Sequence, residues 1–140
     1  MKIYVASAFD QRWWIRAMEP VLVGQGWEVL STWQWISDAE AAQMTAEQEG
    51  EWAIKNLEAV HHADIVLVFA HGQSSGGMWT EMGFALAEGK PIIVVGETQN
   101  VFRHRVTVVP EGQWWEAVCE ITSRCQLQPF SWMTKVGVQK

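Results

Sequence analysis

Apolar residues along this chain form short continuous runs that alternate with longer stretches of helical spacing. Three of the runs, at residues 2–8, 64–69 and 90–96, are typical of strands that are covered on both faces of a sheet. Shorter runs at 27–32 and 106–109 predict two more strands. The intervening stretches predict helices at 10–23, 45–62, 78–88 and 111–124. This alternation predicts a single-domain α/β protein, Rossmann-like or flavodoxin-like, whose parallel five-stranded sheet carries helices on both faces.

Polar residues and prolines suggest where the helices begin and end. Asp10 is expected to cap the first helix, and Pro20 should kink or shorten it. Thr45 and Gln48 have the spacing of a capping box and predict the start of the second helix. Residues 33–44 lack a clean period, so we expect a loop there, lying over one end of the sheet.

Composition and charge limit the class of protein. The chain is 49% hydrophobic and 19% charged, a normal globular balance, and we expect a domain over 1–125 followed by a docked tail over 126–140. The net charge of −6 argues against nucleic acid polymers and anionic membranes, because phosphate tracking needs a basic stripe. No signal-peptide shape and no membrane-length apolar run is visible, and Cys119 and Cys125 do not suit a disulfide, so we expect a cytoplasmic protein.

The carboxyl ends of parallel strands are where such sheets bind ligands. This rule directs attention to Ser7 and Phe9 after the first strand, to the loop that carries Trp33 and Trp35, and to the small-residue loop at 71–77. Indoles beside these loops can stack on a flat ligand, although core filling or a subunit interface would account for most of the ten tryptophans.

One segment carries candidate chemistry, the run Ser-Ser-Gly-Gly-Met-Trp-Thr-Glu that ends at Glu81. Ser75, Gly76 and Gly77 lie between a buried strand and a helix, where free amides, hydroxyls and the helix dipole can hold an anion. Glu81 is expected in the first turn of that helix, kept ionised by the dipole and able to attack an anomeric carbon. Spacing alone leaves open that Glu81 is merely a first-turn helix carboxylate.

These residues, with several others, resemble the nucleoside 2-deoxyribosyltransferase superfamily, which includes deoxynucleoside monophosphate N-glycosidases. The resemblance runs from Lys2 to about His104. It is carried by Ile3-Tyr4-Val5-Ala6-Ser7, by Asn56-Leu57 with Ala63-Asp64, by the block from Ser75 to Pro91 that ends in Ala-Leu-Ala-x-Gly-Lys-Pro, and by Asn100-Val101-Phe102-Arg103-His104.

The resemblance implies roles for individual residues. The family's nucleophile falls on Glu81, and a tyrosine that hydrogen-bonds it falls on Tyr4. Family members that act on nucleosides carry an acidic residue six positions before the nucleophile, whereas Ser75 stands there, as in those resembling monophosphate hydrolases. A hydroxyl beside helix-start amides would receive a 5′-phosphate. The expected substrate-binding residues are Ser7, Phe9, Arg12, Trp33, Trp35, Ser75, Gly76, Gly77 and Met78, with Trp33 and Trp35 as a base-stacking lid.

The implied function is therefore cleavage of the base–sugar bond of a nucleoside 5′-monophosphate, or transfer of its deoxyribosyl group, through a glycosyl-enzyme at Glu81. No metal and no cofactor is expected, because no Cys/His cluster has ligand spacing, no P-loop lysine follows Ser75 to Gly77 and no GxGxxG follows the first strand. The expected partner is a small nucleoside or nucleotide, and the family implies a homodimer or higher homo-oligomer.

One departure from the family pattern leaves alternatives open. The family usually has an aspartate before the leucine that corresponds to Leu57, and it assists departure of the base, but here the residue is Asn56. An asparagine can hydrogen-bond a base but cannot exchange a proton at neutral pH. Another group such as His71 would then protonate the base, or the base leaves unaided, or the protein only binds and sequesters a nucleotide. An interaction module with a tryptophan-rich surface is a third possibility.

Overall fold

A computed structural model describes residues 1–70, 75–98 and 100–122. The strands are β1 (Lys2–Ser7), β2 (Glu28–Val29), β3 (Ile65–Phe69), β4 (Ile92–Val95) and β5 (Thr107–Val109). The helices are α1 (Arg12–Gly24), α2 (Asp38–Gln43), α3 (Ala46–His62), α4 (Gly76–Ala87) and α5 (Trp114–Thr122). Short 3₁₀ turns lie at Phe9–Gln11, Trp33–Trp35, Val101–Arg105 and Glu111–Gln113.

The five strands form one sheet in the order β2-β1-β3-β4-β5, and every neighbouring pair is parallel. This is the flavodoxin-like order, whose ligand crevice opens at the carboxyl ends of the strands where the order reverses, beside β1 and β3. The predicted single-domain α/β fold with a five-stranded parallel sheet is confirmed. β3 and β4 are buried throughout and β1 from Ile3 onward, as expected for strands covered on both faces.

Helices cover the two faces of the sheet in pairs. On one face, Trp14 of α1 packs on Phe69 of β3 at 4.4 Å between ring centroids and on Trp114 of α5 at 6.1 Å. On the other face, α3 and α4 pack on each other and on β1. Strand alternation assigns Tyr4 to this second face, beneath α4. Several tryptophans therefore fill the core, in agreement with core filling as the alternative to ligand stacking.

One prediction about α1 is wrong. Asp10 does not cap the helix, because it lies within the 3₁₀ turn that precedes it and Gln11 takes the capping position without a side-chain hydrogen bond. Of the two effects predicted for Pro20, shortening does not occur, because the helix continues to Gly24, and a kink stays a prediction. A proline inside a helix removes one backbone hydrogen bond. Burial of Met18 and Leu22 on either side of it outweighs that loss.

The loop predicted over residues 33–44 contains regular structure, which is a second correction. The Trp33–Trp35 turn is followed by the short helix α2. Ser37 caps it reciprocally with Glu40: the Glu40 amide donates to Ser37 Oγ at 3.1 Å, and the Ser37 amide donates to Glu40 Oε2 at 2.8 Å. These bonds to the ionised carboxylate hold the pKa of Glu40 below its usual value. β2 is shorter than the predicted 27–32.

The predicted start of the helix at Thr45 agrees with the structure. The Thr45 capping box is present, with the Gln48 amide 3.2 Å from Thr45 Oγ1 and the Thr45 amide 2.9 Å from Gln48 Oε1. Of the described residues, none lies in a helix long and apolar enough to cross a membrane. The tail predicted at 126–140, and Cys125 with it, lies outside the described residues.

Candidate active site

A tyrosine and a glutamate meet between the sheet and α4. Tyr4 lies in the inner strand β1 with none of its surface exposed, and its hydroxyl donates to Glu81 Oε1 at 2.9 Å. The two residues are 77 positions apart in sequence, so only the fold brings them together. The contact that the resemblance implied between Tyr4 and Glu81 is therefore present.

Glu81 does not lie in the first turn of its helix, which corrects the sequence-based expectation. α4 begins at Gly76 rather than near Met78, so Glu81 is one turn further in, and the first turn contains no acidic residue. Ser75 caps the helix, its Oγ accepting from the Met78 amide at 3.4 Å. The two glycines, which the sequence suggested to be loop, have adopted helical backbone behind this cap.

Burial controls the charge of Glu81. The influence of a helix dipole falls off within the first turn, so it gives this carboxylate little stabilisation. Desolvation raises the pKa of Glu81 to about 7, although the hydrogen bond from Tyr4 lowers it in part. The expectation of an easily ionised carboxylate is thus wrong. Glu81 is poised to ionise near neutral pH.

Tyr4 remains a proton donor under the same influences. Burial raises the pKa of its phenol far above the ordinary value, and the adjacent charge of Glu81 and their hydrogen bond raise it further. Within residues 1–70, 75–98 and 100–122, no lysine, arginine or histidine forms an ion pair with Glu81. The carboxylate therefore depends on one neutral hydrogen bond.

The beginning of α4 offers backbone amides that have no acceptor among the described residues. Gly76 and Gly77 are exposed, and Ser75 is half-buried. A Cβ added at Gly76 would meet nothing within 4 Å, and one at Gly77 would meet only Ser75 Oγ, at 3.8 Å. Neither packing among the described residues nor backbone conformation requires glycine at these two positions. Because glycine has no side chain, the described residues leave open space at the start of the helix. Met78 is buried, and it can reach a ligand only through its backbone.

Ser7 and Phe9 end β1 at the expected edge of the sheet. Ser7 is buried, and its hydroxyl donates to the Ala8 carbonyl at 3.0 Å, so it offers no donor to a ligand in this conformation. Phe9 is 38% exposed. The Arg12 guanidinium lies 4.0 Å from the centroid of the Phe9 ring and forms an ion pair with Asp38. Asp38 was not predicted as a site residue, because α2 was not recognised in the sequence.

Trp33 and Trp35 are anchored rather than free. The Trp33 indole is buried and donates to the Val5 carbonyl at 3.1 Å, and the Trp35 indole is 54% exposed and donates to Glu19 Oε2 at 2.7 Å. Between them, Gln34 is fully buried and Arg16 donates to its carbonyl oxygen. Trp33 is thus held in the core by its hydrogen bond, and Trp35 lies on the surface.

Asn56 lies half-buried on α3, the helix that packs against α4. Its side chain has no hydrogen-bond partner among the described residues. Asn56 therefore lies on the helix that packs against α4 but forms no hydrogen bond with Tyr4 or Glu81. His71 and the loop up to Ser74 lie outside the described residues. His61 and His62 end α3 just before β3 begins, at the opposite end of the sheet from the crevice.

The ends of β3 and β4 approach closely beside this edge, a feature that the sequence analysis missed. Gly96 has a φ of +101°, and a Cβ there would lie 2.7 Å from the Ala70 carbonyl oxygen. Only glycine fits such an approach. The sequence signal for this close approach was Gly96, which directly follows the buried strand β4.

Comparisons with known proteins bear on the fold. No protein-family model and no curated protein matches the chain. A CMP N-glycosidase from Clostridium botulinum matches with a TM-score of 0.57 at 22% identity, over 86% of this chain and 99% of the other. A 2-deoxyribosyltransferase from the psychrotolerant bacterium Bacillus psychrosaccharolyticus matches with a TM-score of 0.63 at 23% identity, over 84% and 90%. This chain therefore has the fold that those two proteins share, as its resemblance to the nucleoside 2-deoxyribosyltransferase superfamily predicts.

Proposed function

We propose that this protein is an N-glycosidase that releases the base from a nucleoside 5′-monophosphate, or transfers its deoxyribosyl group, with Glu81 as nucleophile. The observation that carries this proposal is the partly buried hydrogen bond between Tyr4 of β1 and Glu81 of α4, 2.9 Å long. The two solved structures compared above are described as enzymes of this chemistry, one as a CMP N-glycosidase and the other as a 2-deoxyribosyltransferase.

The energetic argument is that Glu81 is a costly residue to bury. Removing an ionised carboxylate from water costs several kcal/mol unless a cation or several donors compensate it. Here one phenol is the only hydrogen-bond donor to Glu81 within the described residues. An apolar side chain would fill this position at lower cost. Strongly shifted carboxyl groups of this kind concentrate at catalytic sites, where the shift tunes reactivity.

The chemistry follows from which oxygen is free. Tyr4 occupies Oε1, so Oε2 attacks the anomeric carbon while the bond from that carbon to the base nitrogen breaks and its electron pair leaves with the base. A proton from solvent or a nearby donor neutralises the base. Water then attacks the same carbon and releases a proton to solvent, the ester bond to Glu81 breaks, and the carboxylate is restored. Two inversions give net retention, and a second base in place of water gives transfer.

Recognition of a 5′-phosphate would lie at the start of α4. The Ser75 oxygen accepts from the Met78 amide, which leaves the hydroxyl proton free to donate. The exposed amides of Gly76 and Gly77 add donors at the positive end of the helix dipole. A carboxylate in place of Ser75 would repel a phosphate, so the serine favours a nucleotide over a nucleoside.

Chromatographic detection of free base, after incubation with a panel of nucleosides and their 5′-monophosphates, tests this function. We expect base release from a monophosphate, and Glu81→Gln should lower the rate by about 10⁴-fold or more while binding stays within a few-fold. Glu58→Gln, the same change at an exposed position of α3, is the matched control and should leave the rate unchanged. Equal turnover by Glu81→Gln and the parent would disprove the mechanism.

The covalent step has its own measurement. A substrate fluorinated at the sugar 2-position slows the breakdown of a glycosyl-enzyme, so intact-mass spectrometry should detect one sugar phosphate attached to the parent protein. The Glu81→Gln variant should gain no mass. Base release without any adduct on the parent would indicate direct attack by water instead.

The alternative function is a noncatalytic nucleotide-binding protein, and Asn56 is the observation that favours it. An amide cannot supply the proton that a departing base needs. Recovery of stoichiometric nucleotide from the protein, with no free base over long incubation, would establish this function. If Asn56→Asp then produced base release, the catalytic site would be intact apart from its proton donor.

A further inference from the structure

Arg12 and Asp38 form an ion pair beside the carboxyl end of β1. Arg12 Nη2 lies 2.6 Å from Asp38 Oδ1. The two partners are very unequal in exposure, since 12% of the Arg12 side chain and 87% of the Asp38 side chain is open to solvent. A guanidinium this buried needs an anion next to it, whereas a carboxylate this exposed loses little when it returns to water.

Nε and Nη2 of Arg12 form one edge of its guanidinium, and only one of these two donors has an acceptor among the described residues. Nη1 donates to the Phe9 carbonyl at 2.9 Å, and the flat face of the guanidinium covers the Phe9 ring. On the remaining edge, Asp38 accepts from Nη2 alone. Nε, the second donor of that edge, is buried and has no partner within the described residues. An arginine edge of this kind matches two oxygens of a phosphate.

We propose that Asp38 is an intramolecular competitor for the phosphate of the nucleotide, holding Arg12 in the empty site and leaving when the phosphate binds Nε and Nη2 together. This inference rests on the proposed function, since it assigns Arg12 to recognition of the same substrate. It adds a determinant that sets how tightly a 5′-monophosphate binds relative to its nucleoside. Asp38 acts through Arg12 and does not touch substrate, so it is a positioning residue.

The surroundings of Asp38 allow it to leave without disturbing the core. Asp38 is the first residue of α2, and the hydrogen bonds of the Ser37 capping box link residues at the start of that same helix. The preceding turn is fixed separately, because Arg16 donates to the carbonyl oxygens of Gln34 and Ile36. No residue of α2 is buried. A shift of this helix therefore breaks the Arg12 contact but no packing of the sheet.

Calorimetric titration of Glu81→Gln protein, which should bind substrate without consuming it, tests the inference. The probes are the four common 2′-deoxynucleoside 5′-monophosphates and the matching nucleosides. Adding Asp38→Asn should tighten monophosphate binding about two- to fivefold, the range expected when one exposed ion pair no longer competes, and leave nucleoside binding unchanged. Glu47→Gln, which removes one exposed carboxylate at the start of α3, controls for net charge and should change neither affinity.

Arg12 variants complete the test. Arg12→Lys should weaken monophosphate binding about tenfold, because an ammonium cannot form the paired bonds, and Asp38→Asn should then have no further effect. Unchanged or weaker monophosphate binding by Asp38→Asn, or equal tightening of the nucleosides, would overturn the inference. If no nucleotide binds the parent, the proposed function fails, and inorganic phosphate decides the inference alone: tighter binding to Asp38→Asn supports it, and equal or absent binding rejects it.

Discussion

Glu81 experiences two opposing influences on its ionisation, and their balance sets the pH at which the protein can act. Burial favours the neutral acid, and the Tyr4 hydrogen bond favours the carboxylate. Burial is the larger influence, so the pKa is raised to about 7. A carboxylate with such a pKa is more basic and more nucleophilic than an ordinary glutamate, yet half of it is ionised at neutral pH.

The first prediction concerns the pH profile of base release. Only ionised Glu81 can attack, so kcat/KM should rise about tenfold per pH unit below pH 7 and level off above it. Initial rates between pH 5 and 9 measure the profile. The substrate phosphate also titrates near pH 6, and a phosphate-free nucleoside measured in parallel separates the two ionisations. A profile already flat from pH 5 upward would contradict a raised pKa for Glu81.

The second prediction separates Tyr4 from a purely structural role. Tyr4→Phe removes the hydrogen bond that lowers the Glu81 pKa, so the profile should move to higher pH while the rate at pH 7 falls. The ring remains to fill the core, and the loss of one hydroxyl leaves far-UV circular dichroism unchanged. Since a mutation in the protein cannot alter the pKa of the free substrate, a shifted profile assigns the ionisation to Glu81. A lower rate with an unchanged pH profile would contradict the role of the Tyr4 hydrogen bond in setting the pKa of Glu81.

At the scale of elements, the sequence predicted more about strands than about helix starts. Continuous apolar runs identified β3 and β4 because burial on both faces leaves no polar position. α2 was missed because a six-residue helix is too short to show a period, although Ser37 and Glu40 carried a capping signal. Glu81 was placed a turn too early because Gly76 and Gly77 were assigned to a loop. The contact with Tyr4 came from the family resemblance, since local patterns contain no information about a pair 77 residues apart.

The glycines at the start of α4 yield a prediction at this scale. Gly76→Ala and Gly77→Ala add a Cβ that none of the described residues blocks, and alanine favours helix by up to about 1 kcal/mol. We therefore expect unchanged or slightly higher stability in urea, together with about tenfold weaker binding of a 5′-monophosphate whose oxygens approach these amides. Gly83→Ala, an exposed position of the same helix with equally open space, should gain the same stability and keep full affinity. Full affinity in all three variants would remove the helix start from the phosphate site.

At the scale of the whole molecule, the proposed function of Glu81 and the stability of the fold oppose each other. The sheet order brings β1 and α4 together, and this arrangement places the carboxylate of Glu81 between α4 and the sheet. In the unfolded chain this carboxyl ionises near 4.5, whereas in the folded protein it ionises near 7. The folded state therefore binds the proton more tightly. The stabilisation from Glu81 is complete below pH 4.5 and is lost as the pH rises through 7, a difference of about 3 kcal/mol at most.

Glu81→Gln should therefore make the protein more stable, most clearly at alkaline pH. The amide is neutral at every pH and keeps an oxygen for the Tyr4 hydroxyl, so we expect its unfolding free energy at pH 8 to exceed that of the parent by about 2 to 3 kcal/mol. Near pH 5 the folded parent is largely protonated, and the gain should be much smaller. Urea unfolding at both pH values measures the change, with Glu58→Gln as the control that should show no such dependence on pH. Because this measurement requires no substrate, equal stability of parent and variant at pH 8 would show that the charge of Glu81 is compensated, and the energetic argument for its catalytic role would fail.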